Sequence, residues 1–339
     1  MKPLMIAAAV ACLNVASPAL ADSLAGYDRI TVNAVHRSAP VAASVWYPLG
    51  KPTYRGLIGD NAVFKGTWAS VGAAVAEGRH PLVVLSHGSG GNMDGLGWLS
   101  SQLALHGVMV LAVNHPGSTS GDSSPRRSIR LDERAADLRA ALDTVLSDPN
   151  LGPYVDRARI VSLGFSLGGA TALNLAGARL NRASYKSYCE RLSGEGDCIF
   201  FQKGGVSFDN LPEVFESDMR DSRISAAIAV DPGLTYAFTP ESIAEMKLPI
   251  LLINLGGEER WKALDVTQNG SDLLRRLPNA RYAVVKPANH FTFLSECKPQ
   301  GRELLAEERD DPVCDDAAGT DRHQAHREIV DHMLKFLDR

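Results

Sequence analysis

Residues 159–170 read Ala-Arg-Ile-Val-Ser-Leu-Gly-Phe-Ser-Leu-Gly-Gly. A short apolar run, Ile160 to Leu163, meets Gly164-Phe165-Ser166-Leu167-Gly168, and a helix-forming stretch follows from Ala170 to Ala176. Strand, tight turn and helix in that order are the context in which G-x-S-x-G forms a nucleophile elbow. Ser166 then stands in a strained turn, tolerated because Gly164 and Gly168 carry no side chains to collide with it. The turn lifts the hydroxyl above the sheet edge, at the N-terminus of the next helix. In a chain with 30 glycines the bare motif means little; its setting makes it specific.

The elbow needs partners on both sides. Upstream, Pro81-Leu82-Val83-Val84-Leu85-Ser86-His87-Gly88-Ser89-Gly90-Gly91 reads as a buried strand breaking into a Gly-rich loop. Acyl-transfer chemistry requires backbone donors aimed at the developing oxyanion, and losing one costs about 3–4 kcal/mol of barrier. The expected donors are the backbone amides of Ser89 and Leu167. His87, at the strand end, suits an orienting, structural role. Downstream, Arg281 to Val285 is a strand, and the loop Lys286-Pro287-Ala288-Asn289-His290-Phe291-Thr292-Phe293 follows. His290 has the order and setting expected of the general base. His323, His326 and His332 sit on a terminal helical pattern and read as surface or satisfied residues.

Two acids follow strands in the permitted interval. Ser225 to Val230 ends in Asp231-Pro232-Gly233, and Ile250 to Asn254 ends in Leu255-Gly256-Gly257-Glu258-Glu259. An acid after either strand could hold the imidazole in its useful tautomer. Asp231, directly at a strand end, is preferred over Glu258, which stands further out on a Gly-rich loop with a longer side chain.

In one order, PLVVLSHGSGG, LALHGVMVLAVNHPGSTSGD, GFSLGG, AVDPG and NHFTF resemble the platelet-activating-factor acetylhydrolase and bacterial "predicted dienelactone hydrolase" group. The resemblance runs from about residue 26 to the end. It implies an α/β-hydrolase fold, Asp231 as the acid, oxyanion donors at Ser89 and Leu167, and a short or oxidatively truncated acyl chain, on a phospholipid or a small ester. Dienelactone hydrolases carry cysteine in the elbow. This chain carries Ser166, so the label does not transfer a substrate. The departures lie around 178–223 and 297–321.

The N-terminus reads as an export signal, with a basic start at Lys2, an apolar run from Leu4 to Val15 and a small-residue site at Ala19-Leu20-Ala21. The run is too short for a transmembrane anchor. Lipoprotein processing at Cys12 is the alternative. Without Cys12 four cysteines remain, and an exported chain with an even number suggests disulfides. Local pairing, Cys189 with Cys198 and Cys297 with Cys314, is the first choice among three, each pair closing an otherwise irregular segment. A formal net charge of −4 with no basic stripe argues against nucleic acid.

The rest of the chain reads as a single domain, residues 22–339. Tyr27–Val32 and Ala42–Tyr47 form a leading antiparallel pair, and 48–80 is a long excursion before the core. Leu131, Ala135, Leu138, Leu142 and Val145 recur at helical spacing, with Asp132, Glu133, Arg134 and Arg139 as a solvated face. Strand–helix alternation predicts a mostly parallel central sheet flanked by helices. Residues 178–223 interrupt it after the nucleophile helix as a cap-like insert. Phe200, Phe201 and Phe215 there either line an acyl pocket or anchor the insert; His115 and Asp122 are candidate substrate contacts. The expected activity is a serine ester hydrolase on a small-molecule or lipid ester, with no cofactor or metal. An amidase or acyltransferase and a non-catalytic binding protein are the rivals.

Overall fold

The computed structural model describes residues 24–338; the expected signal segment and Cys12 lie outside the described residues. A ten-stranded sheet runs through the molecule. Its strands are β1 (Ala25–Val32), β2 (Val41–Tyr47), β3 (Tyr54–Ile58), β4 (Thr67–Val71), β5 (His80–Ser86), β6 (Met109–Val113), β7 (Val155–Phe165), β8 (Ile224–Val230), β9 (Ile250–Leu255) and β10 (Ala280–Val285). Their spatial order is β10-β9-β8-β7-β5-β6-β2-β1-β4-β3. The six strands from β10 to β6 are parallel, and β2 joins β6 and β1 antiparallel.

The parallel strands are buried on both faces, so they read as continuous apolar runs. In β5, Leu82 and Val84 enter one core cluster while Val83 and Leu85 enter the other, the alternation a pleated strand imposes. On the first face lie α2 (Leu131–Ser147) and α3 (Leu167–Leu175), with Leu138, Leu142, Val145 and Leu173 buried. On the second lie α1 (Gly97–Leu105) and α7 (Arg322–Leu337), with Leu99, Leu103, Ile329 and Met333 buried.

Three expectations change. Residues 48–80 are not an excursion: β3 and β4 extend the sheet, β4 pairing parallel to β1. Their faces are half exposed at the sheet edge, so they carry no apolar run to read. Arg134 is not solvated: only 1% exposed, it turns into the core of the site from α2, while Asp132, Glu133 and Arg139 stay nearer the surface. The insert is largely helical, with α4 (Arg182–Arg191) and α5 (Gly196–Lys203) joined by the Cys189–Cys198 disulfide. Inside it the Tyr185 and Tyr188 hydroxyls donate to the Asp197 carboxylate at 2.5 and 3.1 Å. Burial holds that carboxyl above its usual range, against the pull of those donors.

The insert flanks the C-terminal end of the sheet. Arg126 donates to the Gly204 carbonyl at 3.3 Å on one side, and Ala263 N–H to Glu195 at 3.4 Å on the other. The second disulfide, Cys297–Cys314, closes a segment containing α6 (Gly301–Glu308). That segment is fastened to the β3–β4 loop, with Lys298 N–H on the Val63 carbonyl at 2.7 Å and Lys65 N–H on the Glu296 carbonyl at 2.8 Å. Among the described residues no helix is long and apolar enough to cross a membrane.

Candidate active site

Parallel pairing brings the strand ends into line. Ser86 lies beside Gly164, and Phe165 beside Val230, so the residues that follow these strands meet above one edge. Ser166 sits between the end of β7 and the start of α3 with φ 56° and ψ −122°. A β-carbon on Gly164 would stand 1.9 Å from the Gly168 carbonyl oxygen, and one on Gly168 would stand 2.0 Å from that of Ser86. No side chain fits at either place, which is why the turn needs glycine on both sides.

The Ser166 hydroxyl is 3.1 Å from Nε2 of His290, whose Nδ1 is 3.0 Å from a carboxylate oxygen of Asp231. The acceptor carboxylate places the proton on Nδ1 and leaves the Nε2 lone pair facing the hydroxyl. Asp231 is only 1% exposed. Its second oxygen accepts from the Asn254 side chain and the Leu255 N–H, both at 2.9 Å, so the end of β9 clamps the acid that follows β8. His290 opens a short 3-10 turn capped by Asn289, whose side-chain oxygen receives Phe291 and Thr292 N–H groups. The imidazole stacks on Phe165 at 4.5 Å and faces Trp261 at 5.4 Å. Glu258, the other candidate acid, takes no part in this chain.

The Ser166 carbonyl accepts from Gly169 and Gly233 N–H groups, both at 2.9 Å. Because a peptide is planar and trans, this fixes the opposite face of the same unit, the Leu167 N–H. The Gly88 carbonyl is held at 2.7 Å by Nδ1 of His87, which fixes the Ser89 N–H in the same way. His87 is buried, with Nε2 accepting the His115 backbone N–H at 3.3 Å, so it holds the loop as expected. Burial, with His115 and Arg134 beside it, pushes its pKa well down and keeps it neutral.

Of the candidate substrate contacts, His115 and Phe201 are ruled out by burial. His115 is fully buried beneath the loop, between Asp137 at 2.9 Å and Ser86 at 3.0 Å, and burial pushes its pKa down to about 4. Phe201, 3% exposed, and Phe215, 1% exposed, are packed into the apolar core, so they anchor the insert. Phe200 stands edge-on to Phe201 at its surface and does not line the cavity beside His290. Asp122 is paired with Arg127. That cavity, about 220 Å3, is walled by Leu255, Trp261, Leu264, Ala288, Phe291 and Pro312. Trp261 is half exposed and meets Phe291 edge-on at 5.7 Å. Sequence reading passed over it; a tryptophan closing the glycine-rich run after β9 was the available signal.

The chain belongs to the α/β hydrolase family, matching it over residues 83–307. It is 32% identical over 99 residues to cutinase est1 of Thermobifida alba, a match that covers 29% of this chain and 30% of the cutinase. The matched segment is thus under a third of that relative's length. The fold is shared with a ferulic acid esterase from Streptomyces cinnamoneus at TM-score 0.62 and 20% identity, covering 96% of this chain and 92% of that one. It is shared too with a dienelactone-hydrolase-like promiscuous phosphotriesterase from metagenomic libraries. There the TM-score is 0.52 and the identity 16%, with 92% and 98% of the two chains covered.

Proposed function

We propose that the protein is a serine carboxylic-ester hydrolase. The observation that carries this reading is the hydrogen-bonded chain Asp231–His290–Ser166, with the hydroxyl in the turn between β7 and α3. His290 takes the proton from Ser166 as the hydroxyl attacks the ester carbonyl, and the Leu167 and Ser89 N–H groups hold the oxyanion. His290 then protonates the leaving alcohol. Water attacks the acyl-enzyme by the same route, giving the acid and free serine. Asp231 stays ionised and stabilises the imidazolium. The similarity to a cutinase supports ester chemistry. The resemblance to the platelet-activating-factor acetylhydrolase group favours short-chain or phospholipid-type esters. Two disulfides favour an exported protein.

The test is release of p-nitrophenol from acetate, butyrate and octanoate esters, with Ser166→Ala in parallel. Activity lost in the variant and falling from butyrate to octanoate is expected. A folded protein inactive on every ester would overturn the reading.

A further inference from the structure

Beneath the site lies a second chain with the same bond pattern. Ser86 Oγ is 3.0 Å from His115 Nε2, and His115 Nδ1 is 2.9 Å from Asp137. All three residues are fully buried, so no ester reaches them. The chain is joined to Arg134, whose guanidinium donates in four directions. Its terminal nitrogens reach the Ser86 hydroxyl at 3.1 Å and the Ser118 hydroxyl at 2.7 Å, and one of them also donates to the His87 carbonyl. Its Nε reaches the Thr171 hydroxyl at 3.1 Å.

Each contact leads to one side or the other of the space above Ser166. The Thr171 hydroxyl donates to the Leu167 carbonyl at 3.1 Å, so Nε braces the first turn of α3. On the other side Ser118 accepts from Ser128 at 3.1 Å, and Ser128 from the Ser89 hydroxyl at 3.1 Å. That relay fastens Ser89, and the bond to the His87 carbonyl fastens the strand end before it. The directions are determined: the Asp137 carboxylate only accepts, so the neutral His115 imidazole carries its proton on Nδ1, and its Nε2 accepts from the Ser86 hydroxyl, which in turn accepts from Arg134. Asp137 also accepts from His36 and from two nitrogens of Arg37, all at 2.8 Å. Burial raises its pKa, but these donors and charges outweigh that and hold it far below the usual carboxylate range.

We propose that Arg134 is a positioning residue for the oxyanion hole, setting the separation and aim of the Leu167 and Ser89 N–H groups from beneath. The inference rests on the hydrolase reading given above. Hydrogen-bond donors stabilise an oxyanion only when they are aimed at it beforehand, and a misplacement of about 1 Å costs about 100-fold in rate. A planar guanidinium with donors in a rigid fork suits this work, and lysine, a point charge, does not replace it.

The experiment compares wild type, Arg134→Met, Arg134→Lys and Thr171→Val on p-nitrophenyl butyrate, with Ser166→Ala as the control. The variants are also titrated with a trifluoromethyl ketone, which forms a hemiketal oxyanion on the serine. Arg134→Met is expected to lower kcat about 10- to 100-fold with KM within about threefold, and to weaken the ketone by the same factor as kcat. Lysine restores only part. Thr171→Val, which keeps the shape and removes the hydroxyl that joins Arg134 Nε to the Leu167 carbonyl, is expected to lower kcat about threefold to tenfold. If Arg134→Met does not fold, Thr171→Val decides. Unchanged kcat and ketone affinity in a folded variant, or a loss confined to KM, would overturn the proposal while leaving the Ser166-dependent activity standing. A wild-type protein without Ser166-dependent activity would instead remove the hydrolase reading itself.

Discussion

Asp231 adopts φ 42°, a conformation that side-chain-bearing residues rarely take, and its backbone N–H is tied to the Ile253 carbonyl at 2.8 Å. Its carboxylate has one oxygen for His290 and one for β9, so it serves as acceptor on both sides. An amide there would present N–H to one partner and disturb the imidazole tautomer. Asp231→Asn is therefore expected to lower kcat by about 1,000- to 10,000-fold in p-nitrophenyl ester assays, while Glu258→Gln leaves it within about twofold. Trp261, half exposed, lines the cavity beside His290 and lies outside the hydrogen-bonded chain. Its replacement by alanine is expected to raise KM for p-nitrophenyl butyrate about threefold to tenfold with kcat little changed, read from steady-state kinetics.

At the scale of elements, the elbow depends on how closely α3 approaches β5. Gly168→Ala would drive a β-carbon into the Ser86 and His87 carbonyls, which would stand 2.0 and 2.6 Å away. The helix must then shift, and both stability and activity are expected to fall, by thermal unfolding and ester assay. The disulfides act elsewhere. Each closes a short loop, with separations of 9 and 17 residues, and each contributes about 3 kcal/mol in the chain-entropy account. Cys189→Ser with Cys198→Ser is expected to lower the denaturation midpoint, measured in urea, while Ser166-dependent activity in native buffer persists. Helix α2 is legible in the sequence, because the apolar spacing from Leu131 to Val145 is a local property. The direction of Arg134 was not predicted, because a charged residue in an amphipathic helix is usually solvated. Here it turns inward to acceptors supplied by β5, α3 and the 115–128 segment, which are remote in sequence.

At the scale of the whole molecule, three buried histidines among the described residues are held neutral. Burial pushes His115 and His326 down to about 4, and His87 well below its ordinary value. In the unfolded chain each titrates near 6.5, so between about pH 6.5 and 4 the unfolded state binds more protons than the folded one. Stability therefore holds above about pH 6.5 and falls as pH drops toward 4. The raised pKa of Asp197 acts with the opposite sign near the carboxylate range. Urea midpoints measured from pH 7.5 to 4.5 should fall progressively. His326→Gln, which keeps a donor for the Thr292 carbonyl now held at 2.8 Å, should flatten the slope.

The sequence by itself determined the elbow around Ser166 and the chain order of the strands that carry Ser166, Asp231 and His290; for the cysteines it offered local pairing as a first choice among three, and the structure decided it. The elbow and the strands are written in contiguous residues: a glycine where no side chain fits, an apolar run. Only the tertiary structure decided that β3 and β4 complete the sheet, that His115 and Phe201 lie inside rather than against substrate, that Trp261 stands beside His290, and that Arg134 is buried. Edge strands are half exposed and carry little pattern, and a buried polar side chain is recognised by its partners. Those partners come from distant segments, such as His36 and Asp137, 101 residues apart, which only folding brings within hydrogen-bond reach.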